Sequence, residues 1–265
     1  FLGIEITRNR SNRSIFLGQK AYTEKILQRF NKPISPKEKA SIPIPLGIKL
    51  EANNDQSDPK DIQKFQQEVG SLMYLMTKTR PDLAYPIGLV ARYMSNPGIQ
   101  HQKLLEKIWK YLGSTPYYGL NYQSDALEIQ GYCDADWGGD IPTRRSTTGF
   151  TYLFRGAAIS WNSKLQTTVA LSSCEAEYMA LKEAIKEQLF IGAIIANNPH
   201  LEEISSYDTI YTDSLSAIEL AKNPQYHHRT KHIDIQYHFI REKYQQGISK
   251  LLYIPTENQV ADGLT

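Results

Sequence analysis

The stretch Gly131-Tyr132-Cys133-Asp134-Ala135-Asp136 constrains this chain most, because it reads as a short strand that ends in acid. Leu127, Ile129 and Gly131 alternate with Glu128, Gln130 and Tyr132, the two-residue period of a half-buried strand, and the run breaks at Trp137-Gly138-Gly139-Asp140. One such acid has an ordinary explanation, since aspartate commonly ends strands and opens turns. Three later stretches also set a carboxylate at the edge of a regular element: Glu175 and Glu177 after Ser172-Ser173, Asp213 after Ile210-Tyr211-Thr212, and Asp262 after Glu257-Asn258-Gln259. Together they suggest a metal cluster.

The 265 residues allow one large domain or two ordinary ones, and a change of character near residue 124 favours two. Apolar content of 41% suits a globular protein, and no apolar run reaches the roughly 18 residues that a membrane span needs. Cys133 and Cys174 lack the spacing of a zinc site or redox pair and read as free thiols in a reducing compartment. The chain starts at Phe1 with neither an apolar leader nor a methionine, so a fragment or processed piece is expected. Net charge is only +2, but Arg8, Arg10, Arg13, Lys20, Lys25, Arg29, Lys32, Lys37 and Lys39 make the N-terminal stretch basic. That stretch reads as a phosphate-facing surface or an ordinary solvated face.

In chain order, Phe1–Ile6 and Ser14–Leu17 flank a basic turn and predict a hairpin, followed by a helix over Lys20–Phe30. Lys32–Lys60 reads as an irregular connector. Helical stripes then run from Gln63, over Leu83–Ser95, and through Leu104, Leu105, Ile108 and Leu112, with Thr79-Arg80-Pro81-Asp82 as a stop. Beyond Ser114–Asp125 the pattern becomes mixed: strands to Asp134, over Thr148–Phe154 and Ala158–Trp161, then a helix near Ser173. A strand at Tyr207–Thr212, helices at Ser216–Ala221 and Lys231–Gln246, a strand at Lys250–Ile254 and a last helix from Asn258 follow. Ser172 with Glu175 three residues on is a capping-box signature.

On the helix after Ser172, Glu177 shares a face with Ala180, Leu181, Ala184 and Ile185, a stripe that should face the sheet. An ionised carboxylate there is costly unless a cation or donor pairs with it. Glu175 is explained by capping, Asp213 reads alternatively as a helix cap, and Asp262 as a favourable charge in a first helical turn. Four carboxylates without a histidine or cysteine cluster prefer a hard divalent cation of the magnesium type. Two such ions suit in-line phosphodiester displacement, so phosphodiester hydrolysis is the leading chemistry.

The element order, with Asp134, Glu177, Asp213 and Asp262, resembles the ribonuclease H family. The wording Gly131-Tyr132-Cys133-Asp134-Ala135-Asp136-Trp137, Arg144-Arg145-Ser146-Thr147-Thr148-Gly149-Phe150, Glu175-Ala176-Glu177-Tyr178-Met179-Ala180-Leu181 and Arg229-Thr230-Lys231-His232-Ile233-Asp234-Ile235 is similar to the Copia-type retrotransposon branch. Phe1-Leu2-Gly3-Ile4-Glu5-Ile6, Gly70-Ser71-Leu72-Met73-Tyr74-Leu75 with Thr79-Arg80-Pro81-Asp82, and Lys110-Tyr111-Leu112-Gly113-Ser114-Thr115 resemble the palm tail, thumb and connection of the same Pol polyprotein's reverse transcriptase.

The resemblance implies an α/β (α+β mixed) fold: a reverse transcriptase remnant over 1–124, then a ribonuclease H-like five-stranded mixed sheet with flanking helices over 125–265. It implies cutting of the RNA strand of an RNA–DNA hybrid with two Mg2+ ions, or Mn2+. Asp134 would bridge both ions, Asp262 would hold the water-activating one, and Glu177 and Asp213 the one at the leaving oxygen. Asp136 is the rival for the first position. The implied partners are the hybrid and the rest of Pol, palm and fingers included, in cytoplasmic virus-like particles or the nucleus and without a membrane. A polymerase Tyr-x-Asp-Asp motif is absent, so this piece should not polymerise.

Arg144, Arg145 and Ser146 read as phosphate contacts on the turn beside Asp134, as do Ser172 and Ser173 at a helix N-terminus and Arg229 and Lys231 farther on. Trp137 and Trp161 read as packed rather than base-stacking. Two departures weaken the family pattern: residues 251–256 lack a histidine, and Gly263 beside Asp262 should loosen a last helix that Thr265 cuts short. A nucleic-acid-binding module without turnover and an integrase-like two-metal nuclease stand as alternatives.

Overall fold

The structure, a computed structural model, describes residues 1–32, 40–45, 47–222 and 231–265, with backbone alone for 231–237. The chain forms two compact units, Phe1–Gln123 and Ser124–Thr265. No helix among the described residues is long and apolar enough to cross a membrane.

The first unit opens on the expected hairpin, β1 (Glu5–Asn9) and β2 (Ser14–Gly18), and continues into α1 (Lys20–Arg29). The described part of the connector forms neither helix nor strand until α2 (Pro59–Met76), which Asp58 caps by accepting the Lys60 N–H at 2.7 Å. A 3-10 turn at Pro81–Leu83, α3 (Ala84–Ala91) and α4 (Ile99–Ser114) complete the bundle. Its core interleaves Leu27, Val69, Leu72, Leu83, Ile87, Leu104, Ile108 and Leu112. The sequence reading missed β3 (Gly119–Tyr122), which pairs antiparallel with β2 and makes a three-stranded sheet.

Thr79-Arg80-Pro81-Asp82, expected only as a helix stop, is a buried clamp. Arg80 donates to Asp82 through Nε at 2.9 Å and Nη2 at 2.7 Å, and its Nη1 reaches the Thr115 carbonyl at 2.9 Å beyond α4. Tyr111 adds its hydroxyl to Asp82 at 2.9 Å. These bonds tie the start of the 3-10 turn to the end of α4.

The second unit is the expected five-stranded mixed sheet with flanking helices. Strands β4 (Glu128–Ala135), β5 (Thr147–Phe154) and β6 (Ala157–Leu165) form an antiparallel meander, followed by α5 (Ser173–Ala196). Then come β7 (Ser206–Thr212), α6 (Leu215–Lys222), α7 (Lys231–Gln245) and β8 (Lys250–Tyr253), with β7 parallel to β4 and β8 parallel to β7. The sheet order is β6-β5-β4-β7-β8, which places β4 at its centre. There β4 is buried on more than one face, so the half-buried alternation expected of it fails beyond Gly131: Tyr132 and Asp134 are buried too.

The stripe of α5 packs as its period requires, with Ala180, Leu181, Ala184 and Ile185 all buried. Tyr152 on β5 crosses that interface and donates its hydroxyl to the Ala184 carbonyl at 2.6 Å. After β8 the chain makes two 3-10 turns, Thr256–Asn258 and Val260–Leu264, where an α-helix was expected. Tertiary anchoring accounts for this. Gln259 donates from Nε2 to the Cys133 carbonyl at 2.9 Å, and a Cβ at Gly149 would fall 2.8 Å from Leu264, so the segment lies flat against β4 and β5.

Candidate metal centre

Asp134 lies one residue before the end of β4, Glu177 in the second turn of α5, and Asp213 just past β7. One carboxylate oxygen from each lies within 4.8 Å of the other two. Parallel pairing of β4 with β7 brings two of the acids to the same end of the sheet, and α5 lies across β4 to bring the third.

Burial first, and then the negative charges of Asp134 and Asp213, push the Glu177 carboxyl up to about 9. Its Oε2 is buried and accepts no hydrogen bond. Burial also raises Asp134, helped by the charges of Asp213 and Asp262 and opposed by the Thr265 hydroxyl that donates to its Oδ2. No lysine or arginine pairs with any of the three acids among the described residues. Crowded, underbonded carboxylates without a cationic partner fit a cation, and an all-oxygen donor set fits a hard divalent one.

Asp213 is not the cap of α6. The Ser214 hydroxyl accepts the Ala217 N–H at 3.2 Å, while Asp213 Oδ2 accepts the Thr256 hydroxyl at 2.7 Å. Thr256 and Thr265 were missed in the sequence, because nothing local to either shows that it reaches an acid on another element. Asp136, the rival of Asp134, takes the Thr147 N–H on its Oδ1 and belongs to the β4–β5 turn, outside the trio. Asp262 sits exposed on the last 3-10 turn, close enough to act on Asp134 but also outside the trio.

The anticipated phosphate contacts divide. Arg144 is exposed on the β4–β5 turn with φ 57°, and Arg145 is half-buried beside it. Ser146 is fully buried, its hydroxyl accepting the Gly138 N–H at 3.0 Å, so it holds the turn from within. Ser172 and Ser173 are exposed at the start of α5, where the Ser172 hydroxyl accepts the Glu175 N–H at 3.2 Å. The Glu175 carboxylate reaches past the cap to the Leu171 N–H at 2.8 Å, so the capping box closes one residue early. Arg229 and the Lys231 side chain lie outside the described residues.

No protein-family model matches the chain. It is 40% identical over 273 residues to the retrovirus-related Pol polyprotein from transposon TNT 1-94 of Nicotiana tabacum, a match covering 100% of this chain and 20% of that protein. It is 35% identical over 270 residues to the retrovirus-related Pol polyprotein from transposon RE2 of Arabidopsis thaliana, covering 100% of this chain and 18% of that protein. The chain thus spans about a fifth of the length of these curated relatives. Among solved structures it is similar to the foamy viral protease-reverse transcriptase in complex with dsDNA, with 15% identity, a TM-score of 0.51, and coverage of 97% of this chain and 44% of that one. That likeness is one of fold.

Proposed function

This chain belongs to the retrovirus-related Pol polyproteins of Copia-type retrotransposons, and from that premise we propose that its second unit is a ribonuclease H acting on the RNA strand of RNA–DNA hybrids. The first unit is read as the reverse transcriptase palm hairpin, thumb and connection, without a polymerase acidic motif. The observation that carries the activity is the meeting of Asp134, Glu177 and Asp213 within 4.8 Å of one another.

Those three acids would hold Mg2+, with Asp262 joining from its 3-10 turn. Two bound ions supply activation of the attacking water and neutralisation of charge on the leaving oxygen. The protein's own part is positioning: the Thr256 and Thr265 hydroxyls orient Asp213 and Asp134 before any ligand arrives. Arg144, Arg145 and the exposed start of α5 at Ser172 and Ser173 would hold strand phosphates and so fix register. Arg229 and Lys231 are proposed for the same duty.

A second reading, a binding module without turnover, draws on the exposed place of Asp262 outside the trio. Strand-resolved cleavage separates the two. A doubly labelled hybrid, with single-stranded RNA, duplex RNA and duplex DNA beside it, is incubated in magnesium and in excess chelator. Cutting of the hybrid's RNA strand alone, in magnesium alone, is the expected result; a hybrid that binds but stays whole would leave the binding module.

A further inference from the structure

Trp137 leaves β4 three residues after Asp134, and the sequence reading had it packed. Instead it is 61% exposed. It is nevertheless fixed, because its indole N–H donates to the Ala170 carbonyl at 3.2 Å, on the segment that leads into α5 and toward Glu177. The backbone behind it is held as well: Gly138 adopts φ 63° and gives its N–H to the buried Ser146 hydroxyl. An indole pinned by its polar edge keeps its ring available without the entropy of a free side chain.

The surroundings are of two kinds. Val169 and Leu171, on either side of Ala170, are 46% and 80% exposed, so two apolar side chains flank the anchor point. Arg144 is held at φ 57°, a left-handed geometry that a non-glycine residue adopts at a cost, and its Nη2 lies 3.5 Å from where a Gly138 Cβ would be. Among the described residues its guanidinium meets no carboxylate. A pinned aromatic ring, with a guanidinium near the residue that follows it and Asp134 three residues before it, is the pairing that nucleic-acid strands meet: bases stack on the ring and phosphate meets the cation.

We propose that Trp137 is a stacking platform for a nucleotide of the strand bound at the carboxylates, with Arg144 on the adjoining phosphate. The proposal rests on the ribonuclease H reading and adds a contact on which grip and register depend. Its occupant is an RNA–DNA hybrid rather than a protein, because the exposed apolar side chains are few and the neighbouring free charge is a guanidinium.

The test is hybrid binding by the full chain, followed by anisotropy of a labelled hybrid, for wild type, Trp137→Phe and Trp137→Ala, with thermal unfolding of each. Trp137→Ala should weaken binding by about 5- to 150-fold. Trp137→Phe, which keeps a ring, should stay near wild type, and the unfolding midpoints should agree because the ring is exposed. Wild-type tryptophan emission should also change on hybrid addition and the change should be lost in Trp137→Phe, a readout that stands if the alanine variant misfolds. Wild-type affinity in Trp137→Ala, or an emission change that persists in Trp137→Phe, overturns the platform and leaves the ribonuclease H reading intact. Folded wild type that binds no hybrid overturns that reading, and the platform with it.

Discussion

The Thr256 hydroxyl donates to Asp213 Oδ2 at 2.7 Å, joining the first 3-10 turn after β8 to the acid that follows β7. With Ser214 taking the cap of α6, this bond is what sets the rotamer of Asp213. Thr256→Val should weaken divalent-cation binding by about tenfold or more, the usual cost of removing a partner that orients a ligand. Thr256→Ser should restore it. Calorimetric titration with Mg2+ checks the pair, and equal affinities would assign Asp213 some other restraint.

Glu177 carries a buried oxygen that accepts no hydrogen bond, facing two other acids. Glu177→Gln keeps the shape and fixes the side chain in the uncharged form that its raised carboxyl favours in the metal-free fold. In chelator at neutral pH the variant should be more stable than wild type by about 1 kcal/mol or more, because the glutamate ionises on unfolding and the amide does not. Added Mg2+ should raise its unfolding midpoint less than it raises that of wild type. Thermal unfolding in both conditions measures this trade of stability for binding.

Arg80 is 2% exposed and makes every bond of the clamp in the first unit except that of the Tyr111 hydroxyl to Asp82. Arg80→Ala leaves the Thr115 carbonyl with only the Tyr118 N–H and the Asp82 carboxylate with the Tyr111 hydroxyl but without its buried cation. A loss of about 3 kcal/mol is expected in urea unfolding, as for other broken buried pairs.

His101 is buried in α4, stacked on Tyr93 with ring centres 4.0 Å apart. Its Nδ1 accepts the Gly98 N–H at 2.8 Å, so its Nε2 is the nitrogen that carries the proton toward the Glu51 carbonyl at 3.0 Å. A second proton would meet an N–H, and burial accordingly holds the pKa below 6.5 despite the Glu51 carbonyl. A depressed histidine means that the unfolded chain binds more protons than the fold over this window. Stability should be full above pH 6.5 and fall as pH drops from there through the folded value. Urea midpoints from pH 8 to 5, compared with His101→Asn, should show that fall in wild type and flatten it in the variant.

The sequence was most legible where a single element carried the signal. The period of α5 placed Ala180, Leu181, Ala184 and Ile185 against the sheet with Glu177 on the same face, and the β-strand period marked β4 and its terminal acids. Periodicity names faces but not partners, which is why β3, four residues long and paired with a strand about a hundred residues earlier, was not visible. The last segment read as α-helix because local propensity says nothing of the Gln259 bond to Cys133 or the close approach at Gly149. Asp134 was preferred with Asp136 as its rival, and the local pattern held nothing to show that Thr147 engages the second. Trp137 read as packed because an indole is usually buried, and its anchor at Ala170 is a contact between two loops.

The central claim is that Asp134, Glu177 and Asp213 are the working acids and that Asp136 is part of a turn. The most direct test is cleavage of a labelled RNA–DNA hybrid in magnesium by wild type, Asp134→Asn and Asp136→Asn. The predicted result is cleavage at the chelator background for Asp134→Asn and near-wild-type cleavage for Asp136→Asn, whose amide oxygen can still accept the Thr147 N–H. Retained cleavage in Asp134→Asn, or its loss in a stably folded Asp136→Asn, would contradict the assignment.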